Sequence, residues 1–259
     1  AAVEPRGRIT AQDLGLWCDD NEEALGRVMR FCREYGQAKM GIQLAHAGRK
    51  ASTHRPWEGR DPLKEGAGAW ETISSSANPQ GEGWHTPRSM DRAEMDVVRD
   101  AFVEATKRSD RLGFDMIEVH GAHGYLLHEF LSPIANTRND EYGGPIDNRM
   151  RYPLEVFAAM RAVWPEEKPM GIRISATDWE EHGWTPEDSV VFAGKLKELG
   201  CDYICASSGG ISGNTRLELG EGYQVDFAEN IRNETGMPTM AVGMIYDPHH
   251  AESIVADGK

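Results

Sequence analysis

Five short apolar runs constrain this chain most: Met40–Ala45, Met116–His120, Met170–Ser175, Tyr203–Ser207 and Thr239–Val242. Each is followed by polar or glycine-rich sequence. Runs this short with little alternation belong to strands buried on both faces, and such strands build parallel sheets covered by helices. Helical patterns fill the later intervals. Asp91 and Glu94 predict a capping box opening a helix from about Asp91 to Arg111, whose Met95, Val98, Phe102 and Ala105 keep helical spacing. Further helices are expected near Asp147–Val163, from Thr185-Pro186 to Gly200, over about Asp226–Glu234, and from Asp247-Pro248 to the chain end. The expected class is α/β. The 259 residues match a (β/α)8 TIM barrel, which typically needs about 250, yet the pattern yields five strands.

No composition shift splits the chain, so one domain is expected over residues 1–259. Within it, residues 48–90 form a long irregular segment rich in proline and glycine that carries Trp57, Trp70 and Trp84. A segment of that length is expected to serve as a lid or substrate wall. A formal net charge of −14 argues against a nucleic-acid partner. No apolar run is long enough to span a membrane. Cys18, Cys32, Cys201 and Cys205 form no C-x-x-C pair; they read as free thiols of a cytoplasmic protein.

The chemistry-bearing residues stand at the C-terminal ends of the runs, where parallel α/β folds keep their sites. His120-Gly121-Ala122-His123-Gly124-Tyr125 places two imidazoles and a phenol within six residues. Three readings stay open for the pair: metal ligands, mutually bonded structural histidines, or catalytic groups. Arg173 interrupts the apolar run Ile172–Ile174; a guanidinium there needs an anion, either a protein carboxylate or a ligand that carries or develops negative charge. Gln43, in Ile42-Gln43-Leu44, offers donor and acceptor to a heterocycle edge, or satisfies backbone in the core. Ser207-Ser208-Gly209-Gly210 and Val242-Gly243-Met244 could present backbone N–H groups to a phosphate, or simply turn the chain.

The run IEVHGAHGYLLHEFLSPIANTRNDEYGGPIDNRMRY, with GIQLAHAGRKAS, GIRISATDW, CASSGG, GYQV and AVGMI in the same order, resembles the Old Yellow Enzyme family, and most closely its thermophilic-like, xenobiotic-reductase form. The resemblance implies a flavin-binding (β/α)8 barrel that reduces activated C=C bonds of α,β-unsaturated carbonyl or nitro compounds with FMN and NADPH or NADH. It implies that Gln43 and Arg173 bind the pyrimidine edge of FMN, and that Ser208, Gly243 and its neighbour Met244 lie at the phosphate. His120 and His123 would hold the substrate oxygen, and Tyr125 would donate the proton. It also implies a small-molecule substrate and a homo-oligomeric full-length parent. Matched to the family pattern, the chain lacks the first strand, most of the second and the eighth, so weak FMN binding is expected. Other readings are a 2,4-dienoyl-CoA reductase-like or amine dehydrogenase-like flavin barrel, a metal-dependent hydrolase using His120, His123 and His128, and an inactive fragment.

Overall fold

The computed structural model describes residues 1–213 and 215–259. Seven strands are described: β1 (Gly41–Leu44), β2 (Ile73–Ser74), β3 (Arg88–Ser89), β4 (Met116–Gly121), β5 (Met170–Ser175), β6 (Tyr203–Ser207) and β7 (Thr239–Ala241). The α-helices are α1 (Asp19–Tyr35), α2 (Arg92–Arg111), α3 (Leu126–Leu131), α4 (Ile146–Arg161), α5 (Pro186–Glu198), α6 (Val225–Thr235) and α7 (Pro248–Ala256). Five strands form one parallel sheet in the order β1-β4-β5-β6-β7. These are the five runs named from the sequence, and the order follows the chain. Sequential parallel neighbours joined by crossover helices make an arc of a (β/α)8 barrel. Ala1–Val3 extends the arc at the β1 edge: Ala45 donates to the Ala1 carbonyl at 2.9 Å and Val3 donates to the Ala45 carbonyl at 3.1 Å. Among the described residues the sheet does not close.

Register brings the functional positions level. Gln43 pairs with Glu118, His120 with Arg173, and Arg173 with Cys205. Neighbours in register share a face, so these side chains line the concave side of the arc. The convex side packs on the helices. Met95, Val98, Phe102 and Ala105 of α2 are buried, and full burial of a large apolar side chain contributes about 1.5–3 kcal/mol.

Two helices were not visible in the sequence pattern. In α1 only Leu25, Gly26 and Met29 are buried, while Val28, Phe31 and Tyr35 are exposed. Its buried stripe is narrow, three residues of seventeen. The six residues of α3 form less than two turns. The capping expectations divide. Thr185 and Asp188 form a reciprocal box at α5. At α2, Asp91 accepts from the Glu94 N–H at 2.9 Å, but the Glu94 carboxylate turns to Arg6 and Arg88 instead of back to the cap. Two guanidiniums outcompete one backbone N–H for that carboxylate. The 48–90 segment holds the parallel two-residue pair β2–β3 and two short 3-10 turns, and is otherwise irregular.

Candidate active site

The strand β4 ends in a turn that its sequence alone would disfavour. His123 has φ 58° and Gly124 φ 71°; the first is a left-handed conformation uncommon for a side chain with a Cβ. Close packing requires the second glycine, because a Cβ on Gly124 would lie 2.2 Å from the Gly210 carbonyl oxygen. Bonds from four directions hold the turn. The His123 N–H donates to Ser175 Oγ at 2.9 Å, and Lys50 Nζ donates to the His123 carbonyl at 2.7 Å. The Gly124 N–H donates to His128 Nδ1 at 2.9 Å, and His123 Nε2 lies 2.7 Å from Ser207 Oγ. Strained backbone persists where surroundings over-determine it, commonly at functional sites.

His128 is itself held. Its Nε2 lies 2.9 Å from Asp178 Oδ1, a close contact whose alignment falls short of a hydrogen bond, and neither side chain is exposed. Asp178 Oδ2 accepts from Ser132 Oγ at 2.6 Å and from the Trp184 N–H at 2.7 Å. Because His128 Nδ1 accepts from Gly124, its ring proton sits on Nε2, facing Asp178.

The turn delivers His120, His123 and Tyr125 to one cavity of about 370 Å³, which Gln43 also lines. The His120 ring centroid is 5.2 Å from that of His123 and 4.9 Å from that of Tyr125, both edge-on. Burial, with the neighbouring His123 and Arg173, pushes His120 well below the ordinary imidazole value; burial and Arg173 push His123 down to about 3. Both rings are therefore neutral near pH 7. His120 Nδ1 accepts from the Ala122 N–H at 3.2 Å, leaving Nε2–H as a donor. Ser207 Oγ is 2.7 Å from His123 but 3.4 Å from Gln224 Oε1. The direction of the shorter contact follows the ring tautomer: when Ser207 donates to His123 Nε2, Nδ1–H is that ring's donor. Burial, helped by Asp13, raises the Tyr125 phenol above its ordinary value, so it stays protonated.

The remaining sequence-predicted residues lie along the same rim. Gln43 Nε2 donates to Glu118 Oε1 at 2.6 Å, so one of its two N–H groups serves the protein. Arg173 meets no carboxylate within ion-pair distance among the described residues. Its one hydrogen bond there is a 3.4 Å contact with Ser207, and its buried Nε has no partner. The described residues therefore supply no anion for this cation. Ser208 donates to Gln224 Oε1 at 2.5 Å, and Gln224 Nε2 donates to the Val242 carbonyl at 3.3 Å. One glutamine thus ties the loops after β6 and β7 together. Gly243 packs against it, since a Cβ there would lie 2.8 Å from Gln224 Nε2. Met244 is exposed beyond them. Among the described residues no three His, Cys, Asp or Glu side chains are placed to hold a metal ion. All four cysteines are free, and no helix described is long and apolar enough to cross a membrane.

Lys50, Glu118, Ser175, Asp178 and Gln224 were not singled out from sequence, and Ser207 was named only as part of a loop offering backbone N–H groups. Lys50 and Glu118 carried the one usable signal, a charge inside or just after an apolar run. The others are uncharged or lie in loops, and only the fold supplies their partners.

A parallel-strand rim with an arginine that meets no carboxylate, a glutamine edge, two neutral imidazoles and a protonated phenol suits a flavin-dependent oxidoreductase. The unpaired Arg173 and the free Gln43 carboxamide oxygen fit the pyrimidine edge of FMN, whose reduced form is anionic there. The chain matches the NADH:flavin oxidoreductase / NADH oxidase family over residues 1–259 and belongs to it. Membership brings FMN and NAD(P)H as cofactors. An NADPH dehydrogenase of Geobacillus sp. (strain WCH70) is 42% identical over 258 residues, covering 100% of this chain and 70% of that protein. Morphinone reductase in complex with tetrahydroNAD superposes with TM-score 0.76 at 26% identity, over 99% of this chain and 69% of that one. A 2-naphthoyl-CoA reductase shares the fold, with TM-score 0.86 at 22% identity; the chain spans 100% of its own length and 40% of that enzyme's.

Proposed function

We propose that this protein reduces activated C=C bonds of α,β-unsaturated carbonyl or nitro compounds, using FMN and NAD(P)H. The observation that carries the reading is the convergence of two neutral imidazoles and one protonated phenol in a single cavity. Bound FMN, reduced by NAD(P)H, would supply the hydride for the β-carbon. As the hydride arrives, the substrate oxygen gains negative charge. His120 Nε2–H and His123 Nδ1–H would donate to that oxygen, and their fixed geometry makes the stabilisation preorganised. Tyr125 would give its phenolic proton to the α-carbon. Its hydroxyl makes no hydrogen bond among the described residues, so the proton is free to transfer. Arg173 would stabilise negative charge on the flavin, and Ser208, Gly243 and Met244 would lie toward the phosphate. The 48–90 segment brings Lys50 and Trp84 to an adjoining cavity that also touches Tyr125, and would screen that side of the phenol from water. The substrate is a small molecule, and four free thiols suit a reducing cytoplasm.

Tyr125→Phe separates the two halves of this chemistry. In stopped flow, flavin reduction by NADPH should keep its rate, while reoxidation by an enone should slow by roughly 10²–10⁴-fold, the usual worth of a general acid. An unchanged reoxidation rate would mean that water or another residue gives the proton.

A further inference from the structure

A second cavity, of about 310 Å³, lies beside the first and shares Ile9 and Tyr125 with it. Lys50, His54 and Arg60 line it together with Trp84, and no carboxylate does. That is a local reversal of charge in a chain whose formal net charge is −14. The three bases keep donors in reserve. Lys50 Nζ bonds the His123 and Gly210 carbonyls at 2.7 and 3.0 Å, which leaves its third N–H uncommitted. The side chains of His54 and Arg60 make no hydrogen bond or ion pair among the described residues. Arg60 is held at φ 65°, a conformation uncommon for residues with a Cβ. Burial and repulsion from Arg49 and Arg60 bring Lys50 down to about 8, although Glu129 opposes them. Glu129, which acts on Lys50, does not line the cavity, and Lys50 also sits over the Tyr125 ring at 5.0 Å.

We propose that this second cavity is an oxyanion subsite: it binds a carboxylate or phosphate carried by the molecule whose reacting end lies at Tyr125. The inference rests on the functional reading above, which places the reducible bond beside that phenol. The cavity's continuity with the first favours an acid group within a few bonds of the alkene, flanked by the Trp84 indole. A phosphate of the nicotinamide nucleotide carries the same chemistry, and the test separates the two sources.

The test uses the FMN-loaded protein, wild type and Arg60→Gln, titrated calorimetrically with (E)-4-oxopent-2-enoate, with its methyl ester, and with NADPH. Wild type should bind the acid about tenfold tighter than the ester, and Arg60→Gln should bring that ratio close to one without changing ester affinity. Arg60→Lys should restore most of the preference. If instead only NADPH weakens in Arg60→Gln, the subsite stands and its oxyanion is the nucleotide's. Acid and NADPH affinities both indifferent to Arg60 would overturn the subsite. Ester turnover, followed in the same samples, reports on the functional reading separately. An ester that binds but is never reduced would defeat ene-reduction while the affinity ratio still decides the subsite.

Discussion

The two ends of the functional rim are finished differently. At the β4 end, the His123–Gly124 turn spends its polar groups on protein partners, and its supports, His128 and Asp178, are fully buried. One strand along, on β5, Arg173 has no carboxylate within reach among the described residues, and at the far edge β7 is only partly buried. The first region is preorganised by the chain. The second leaves polar groups open to a ligand. Catalytic donors lose effectiveness when they must reorganise, whereas a cofactor's binding energy can offset open polar groups.

Mutations should respond accordingly. Asp178→Ala leaves the Ser132 hydroxyl and the Trp184 N–H without their buried acceptor and strips His128 of its neighbour, and should cost about 2–5 kcal/mol in denaturant unfolding. Arg173→Met, by contrast, breaks no protein ion pair and should leave the unfolding free energy of the FMN-free protein within about 1 kcal/mol of wild type. Its effect should fall on the ligand: FMN binding, measured by fluorescence titration, should weaken by roughly 10–100-fold. Similar destabilisation by both would erase the distinction between the two regions.

A smaller effect should come from pH. Lys50 titrates at about 8 in the native protein, against an ordinary 10.5. Between those values the unfolded chain carries the extra proton, so native stability should rise with pH across that window. Relative to Lys50→Met, wild type should gain up to about 3 kcal/mol from pH 8 to 10.5. Parallel stability curves for the two proteins would show that Lys50 is not desolvated as its surroundings imply.

Much of this architecture was legible from local pattern. All five apolar runs became neighbouring strands, because strands buried on both faces need little from the rest of the chain to declare themselves. Thr185-Pro186 and Asp91 marked helix starts through side chains that act within three residues. The convergence of Gln43, His120, His123 and Tyr125 on one cavity followed from their positions at strand ends. What was not legible depended on distant partners. Glu94 faces Arg6 across 88 residues, and Lys50 reaches carbonyls 73 and 160 residues away. Asp178 receives Ser132 from 46 residues away. No window of sequence holds both members of such pairs. The helix α1 escaped although its pattern is amphipathic: only Leu25, Gly26 and Met29 are buried, and Val28, Phe31 and Tyr35 are exposed.

The central claim is that His120 and His123 act as paired neutral donors to one oxygen anion. Titrating the FMN-loaded protein with a phenol such as 4-hydroxybenzaldehyde reads this directly, through the long-wavelength band that a phenolate gives when held against oxidised flavin. The expected result is a strong band in wild type. In His120→Ala and in His123→Ala the band should be lost or much reduced, with affinity about tenfold weaker or more. A full band at wild-type affinity in both variants would contradict the claim.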